Sequence, residues 1–158
     1  MAVERFAVLR HGDFDVNTGR MSSFGRMQME KLGDSLPRFA LHRRVRLILS
    51  DAPRATDGRE VLVERLRRLN VNLEVDPPYH ALWTDRDHPM NPQAVNSILQ
   101  ERSADVGLLI VLTHAECADE IQYSFGQEVM QAQFEHRSLR HGEGIVIYNR
   151  ALTAFNIP

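Results

Sequence analysis

The sequence predicts a single α/β domain over residues 1–158, a three-layer sandwich with a central, mostly parallel sheet and helices on both faces. Two observations carry this expectation. Short apolar runs of strand length alternate with longer stretches of helical spacing, the pattern of strands joined by crossover helices. A chain of 158 residues, 43% of them hydrophobic and 25% charged, also suits one domain with a continuous core.

The elements follow in order. "RFAVL" (5–9) is the first expected strand, and Phe24, Met27, Leu32, Leu36 and Phe39 then define one helical face. "VRLILS" (45–50) is the second strand, followed by a helix whose apolar face is Val61, Leu62, Leu66 and Leu69. "VNLEV" (71–75) is the third. "DPPYHALWTDRDHPMNP" (76–92) is aperiodic, with four prolines, and reads as a long loop of the kind that often carries function. "NPQAVNSILQERS" opens a helix with an asparagine cap and a first-turn proline. "VGLLIVLT" (106–113) is the fourth strand. In the last third "ECADEIQYSF" reads as a helix and "VMQAQFEH" and "GIVIYN" as strands, with an antiparallel arrangement left open.

Charge and cysteine content narrow the function. A formal net charge of -2 argues against a nucleic-acid or membrane-surface binder, which would carry a basic excess. Lys31 is the single lysine, so the basic residues are otherwise arginines, whose planar fork of donors suits oxyanions. Cys117 is the single cysteine, which excludes an internal disulfide and a cysteine-based zinc site. The N-terminal apolar run is too short for a signal peptide or membrane span, so a cytoplasmic location is expected. Oligomeric state is left open.

Ligands of open parallel sheets sit beyond the carboxyl ends of the strands. On this chain "RHG" follows the first strand, "SDAPRA" the second and "THAE" the fourth, so Arg10, His11, Arg54 and His114 converge on one expected pocket. Two arginines and two histidines there make a cationic, directional cradle suited to a phosphoryl group.

These residues resemble, in order and context, the histidine phosphatase superfamily, which includes phosphoglycerate mutases and the small SixA-like phosphohistidine phosphatases. "VLRHGD" resembles its N-terminal signature, "MSSFGRMQMEKLGDSL" its "LTxxGxxQAxxLG" helix, and "LILSDAPRATDGREVL" its "SPxxRAxQTA" motif, while "LIVLTHAE" resembles the strand before its second histidine. The resemblance implies a phosphoglycerate mutase-like fold and covalent catalysis. His11 is then the nucleophile, Arg10, Arg54 and His114 hold the phosphoryl oxygens, and Asn17 is a further phosphate ligand. Asp85 is the first candidate for the acid that protonates an ester leaving group, Asp87 the second, and Glu116 a looser match. No metal or organic cofactor is implied. The short span between Arg54 and His114 leaves little room for an inserted lid, which favours an open pocket and a phosphohistidine-bearing protein as substrate. Small phosphomonoesters, or noncatalytic binding of a phospho-ligand, are the alternatives.

The sequence departs from the pattern at Asp51, where an acid replaces the expected proline and opposes anion binding unless it points away. A second "RHG", at Arg140, His141 and Gly142, precedes a strand and reads as a turn between two C-terminal strands. His80, Asp85, Asp87 and His88 crowd the long loop without a recognisable metal-ligand spacing. Trp83 is expected to anchor that loop or line the pocket rim, and Cys117 to pack in the core.

Overall fold

The computed structural model describes residues 3–40 and 43–148 in full and residues 151–155 as backbone. Among the described residues six strands form one sheet, β1 (Arg5–Arg10), β2 (Arg44–Leu49), β3 (Asn72–Val75), β4 (Leu108–Thr113), β5 (Gly144–Tyr148) and β6 (Ala151–Phe155). Their order across the sheet is β3-β2-β4-β1-β5-β6. The first four run parallel, β5 is antiparallel to β1, and β6 is antiparallel to β5.

Alternation along the strands fills two cores. Phe6 and Val8 of β1 point to one face, where Val95 and Leu99 of α4 (Pro92–Arg102) and Cys117 and Ile121 of α5 (Ala115–Ile121) cover them. Ala7 and Leu9 point to the other, against Met29 and Leu32 of α1 (Ser23–Ser35), the short α2 (Pro37–Ala40), and Leu62 and Leu66 of α3 (Pro53–Arg68). Each Val, Leu, Ile, Phe or Met side chain among them, once fully buried, stabilises the fold by about 1.5–3 kcal/mol. These layers are those expected, and so are the four parallel strands, to within a residue or two at each end.

Local signals set several boundaries. Asn91 caps α4 by accepting from the Ala94 N–H at 3.2 Å, with Pro92 in the first turn. Ser22 caps α1 by accepting from the Gly25 N–H at 3.0 Å. Leu32, Leu36 and Phe39 of the expected helical face are buried, but the first turns of α1 differ from it. Gly25, Gln28, Met29, Leu32 and Gly33 are buried, whereas Phe24 and Met27 are 51% and 43% exposed. The glycines decide this, because they let α1 lie close to its neighbours on a side where large residues would not fit. Leu69 is likewise 50% exposed, one residue past the end of α3.

The expected strand "VMQAQFEH" is absent. α5 instead runs into a π-helical turn (Gln122–Gln127), and the chain that follows is irregular. Gln131 adopts φ 56°, in the left-handed region that no strand residue occupies. Glutamine side chains hold the end of this stretch: Gln127 donates to Phe134 O, and just past the expected strand Gln122 donates to Arg137 O and accepts from the Arg137 N–H. The strand beside β5 is β6, from a segment to which the sequence reading assigned no element. Asn149, the last residue of the expected strand "GIVIYN", lies outside the described residues. No helix among the described residues is long and apolar enough to cross a membrane.

The loop after β1 is pressed against α1. A Cβ on Gly25 would collide with the Asp13 carbonyl oxygen and lie 2.8 Å from Asp13 N, both backbone atoms that cannot swing aside. Gly25→Ala should therefore cost about 2–3 kcal/mol of stability, read as a lowered urea midpoint at unchanged m-value.

Candidate active site

Three strand ends build the site. His11 follows β1, Ser50 follows β2, and His114 follows β4 as the residue before α5, while Arg54 is the second residue of α3. The ladder continues one residue past the strands, with the His11 N–H donating to Thr113 O at 3.1 Å and the Ser50 N–H to Leu112 O at 3.2 Å. The expected quartet of Arg10, His11, Arg54 and His114 is thus brought together, and both imidazoles are buried.

The hydrogen bonds of His11 define its tautomer. A carbonyl only accepts and a guanidinium only donates. The 2.8 Å contact of Nδ1 with Gly12 O therefore places the proton on Nδ1, and Nε2 keeps its lone pair toward Arg54 Nε at 3.3 Å. The His114 ring lies 4.8 Å from that of His11, centre to centre. His114 Nε2 contacts Ser50 Oγ at 2.7 Å, and its Nδ1 is buried without a partner. Burial and the facing His114 hold the His11 pKa well below 6.5, against a smaller opposing effect of the Gly12 hydrogen bond. Burial, with Arg54 and Arg10 nearby, lowers His114 to about 3. Both are neutral at physiological pH.

The arginines are held from behind. Arg54 Nη2 donates to Asp85 Oδ2 at 3.2 Å, and its guanidinium stacks over Phe14 at 4.5 Å from the ring centre. Arg10 donates from Nη1 to Leu139 O at 2.9 Å and from Nη2 to His141 Nε2 at 3.1 Å, and its buried Nε has no partner. Unpartnered buried polar atoms are costly in a folded protein unless a ligand or water satisfies them. Arg10 Nε and His114 Nδ1 are such atoms at one site.

Other expected residues fall elsewhere. Asn17 is exposed, its N–H bonded to the Asp15 carboxylate, and it does not enter the hydrogen-bonded cluster. Asp87 and Glu116 are exposed. Asp85 is at the site, but its carboxylate accepts from Trp83 Nε1 at 2.7 Å, from the Asp87 and His88 N–H groups, from His88 Nδ1 and from Arg54. Burial raises its pKa, yet those donors outweigh burial and keep it far below the usual carboxylate range. Asp51 points away, to His80 Nδ1 at 3.0 Å. Trp83 stacks on His88 at 4.3 Å and both anchors the loop and borders Arg54. Among the described residues no three His, Cys, Asp or Glu side chains are grouped to hold a metal. Cys117 is buried, and burial pushes its thiol up to about 12.

The sequence reading missed His141, Phe14, Ser50 and Gln28. The second "RHG" does form a turn, but it follows an irregular segment rather than a strand, and it brings the His141 ring to 5.4 Å from His11. The repeated triplet was the available signal.

No protein-family model and no curated protein sequence matches the chain. Solved structures do. The protein histidine phosphatase SixA complexed with tungstate aligns over 96% of this chain and 94% of its own, at TM-score 0.67 and 15% identity. A mycobacterial glucosyl-3-phosphoglycerate phosphatase complexed with VO3 aligns over 98% of both chains, at TM-score 0.59 and 13% identity. The phosphoglycerate mutase of Plasmodium falciparum covers 97% of this chain and 89% of its own, at TM-score 0.53 and 14% identity. The chain has the histidine phosphatase fold. At such identities the likeness is one of architecture, and chemistry has to be argued from the side chains. Within the histidine phosphatase fold of this chain, they form a cluster of two neutral imidazoles and two arginines in which Arg10 Nε and His114 Nδ1 are unsatisfied, suited to binding a tetrahedral dianion.

The buried imidazoles also give a pH signature. In the unfolded chain each protonates near 6.5, while the native values lie below, so between them the unfolded state binds more protons and stability falls as pH drops. Replacing His114 by Gln, which keeps a partner for Ser50, removes one such group. Between about pH 6 and about pH 5 the wild type should lose about 1 kcal/mol more than His114→Gln, measured by urea unfolding.

Proposed function

We propose that the chain is a phosphatase in which His11 Nε2 accepts the phosphoryl group, acting on a phosphohistidine of another protein. The observation that carries the covalent step is the His11 tautomer: Nδ1–H is bonded to Gly12 O, so the lone pair is on Nε2, where it accepts from Arg54 Nε at 3.3 Å and is turned to phosphorus when the phosphoryl oxygens take over that donor. Two of the similar structures are complexes with oxyanions, tungstate and VO3, which supports an oxyanion as the kind of ligand.

The chemistry balances without a cofactor. The Nε2 lone pair attacks phosphorus, the bond to the leaving atom breaks, and its electron pair departs with the leaving group. Because Nδ1 keeps its proton, the phosphoimidazole ring is cationic and a good leaving group in turn. Water then attacks phosphorus, the N–P bond breaks, its pair returns to Nε2, and both water protons leave with the product as dihydrogen phosphate. Arg10, Arg54 and His114 stabilise the charge on the equatorial oxygens in both steps.

The leaving group separates the substrate classes. An alkyl phosphate expels an alkoxide that needs a proton, whereas a ring-protonated phosphohistidine expels neutral imidazole. Asp85 is held ionised by its donors, and Asp87 and Glu116 are exposed. We assign Asp85 instead to holding Arg54. The likeness to the protein histidine phosphatase SixA supports a protein substrate as well.

Phosphate release from a phosphohistidine-bearing phosphotransfer domain, from para-nitrophenyl phosphate and from an alkyl phosphate tests this reading. The wild type should favour the first, and His11→Ala should lose phosphoenzyme labelling and on the order of a thousandfold in turnover. Asp85→Asn should slow the first two substrates alike, by roughly tenfold to a hundredfold, through a displaced Arg54. A loss confined to the alkyl ester would instead make Asp85 the acid. Phosphate binding without labelling of His11 would leave a noncatalytic phospho-ligand module.

A further inference from the structure

The second "RHG" has no part in the chemistry above, yet its placement is tightly specified. Gly142 adopts φ +72° and its N–H donates to His11 O at 3.0 Å. Buried Gln28 donates from Nε2 to His141 O at 3.1 Å and accepts from the Asp13 N–H at 2.8 Å. The turn is thereby bonded to the strand end that carries His11 and, through one side chain, to the loop beyond it. Its geometry admits only glycine at position 142, because the φ is left-handed and a Cβ would lie 2.5 Å from the Gln28 Cβ.

What that turn presents to the site is an acceptor. Arg10 Nη2 can only donate, so its 3.1 Å contact requires the lone pair on His141 Nε2 and the proton on Nδ1. Arg10 Nη1 donates to Leu139 O, two residues earlier in the same segment. One segment thus grips both terminal nitrogens of a long, rotamer-rich side chain, and a planar fork held at two points has the direction of its other N–H groups determined. The buried Arg10 Nε is one of these. Phe14, edge-on to the His141 ring at 5.7 Å, packs against the imidazole in this position.

We propose that His141 is a positioning residue, whose neutral imidazole accepts from Arg10 Nη2 and so fixes the guanidinium in the orientation that receives a phosphoryl group at His11. The proposal rests on the phosphatase reading and adds to it a residue that acts only through Arg10.

The test compares wild type, His141→Phe, His141→Gln, Arg10→Gln and the double variant Arg10→Gln/His141→Phe. Binding of inorganic phosphate is followed by calorimetry, and kcat and KM are measured on a phosphohistidine-bearing domain. His141→Phe keeps a flat ring without an acceptor, and should weaken phosphate binding and raise KM by about tenfold. His141→Gln keeps an acceptor oxygen and should stay within about threefold of wild type. In the Arg10→Gln background His141→Phe should change kcat/KM by less than about twofold, because the two residues form one unit. Equal losses in the Phe and Gln variants, no loss in the Phe variant, or additive losses in the double variant each overturn the clamp while phosphate binding by wild type upholds the site. Wild type that binds no phosphate overturns the phosphatase reading, and the clamp with it. Near-ultraviolet circular dichroism checks folding, and His141→Ala replaces His141→Phe in the cycle should the latter not fold.

Discussion

The register of β4 between β1 and β2 is the constraint on which the site depends. Arg10 pairs with Thr113 and Leu49 with Leu112, so the three parallel strands end at one level. The residues that follow, His11, Ser50 and His114, then leave the sheet side by side. Their spacing is inherited from a ladder buried on both faces, whose central residues cannot slip by one position without turning every apolar side chain to the wrong layer. Two imidazoles 4.8 Å apart therefore need no attraction for each other to stay there.

That same closeness sets an electrostatic problem, which the surroundings resolve in two ways. Two like charges 4.8 Å apart would repel by about 3 kcal/mol at an effective dielectric of 20. Burial keeps His11 and His114 neutral and removes that repulsion. The arginines cannot be neutralised, so they are compensated. Asp85 and the face of Phe14 serve Arg54, and Leu139 O and His141 serve Arg10. Positive charge is held behind the cluster while His11 Nε2 stays unprotonated, a combination that a dianion can enter without first displacing a proton from His11.

Much of this was legible in the chain, for reasons that can be stated. "VLRHGD", "LILSDAPRA" and "LIVLTHAE" each join a buried strand to a polar residue at its carboxyl end, and parallel strands put such residues on one edge. The misreadings share a different cause. In α1 the burial is decided by Gly25 and Gly33, which carry no hydrophobic signal. In "VMQAQFEH" the alternation mimics a strand, but the side chain of Gln127 holds Phe134 O within it and that of Gln122 holds the backbone of Arg137 just beyond it. Asp85 had the composition of an acid. Its donors, Trp83 and His88, come from the fold of its own loop, and together with Arg54 they make it an anchor.

In the sequence His141 reads as a turn residue rather than part of the site because it precedes a strand instead of following one. Carboxyl ends matter in a parallel sheet, since all strands point the same way. β5 runs antiparallel to β1, with Leu9 opposite Gly144, so the residues just before β5 lie past the last residues of β1. The amino end of an antiparallel neighbour thus reaches the same edge as the carboxyl ends of the parallel set. A sheet with one reversed strand beside the strand that leads into His11 gains a fourth source of side chains for its site, and in this chain that source supplies the backbone and imidazole acceptors that grip Arg10.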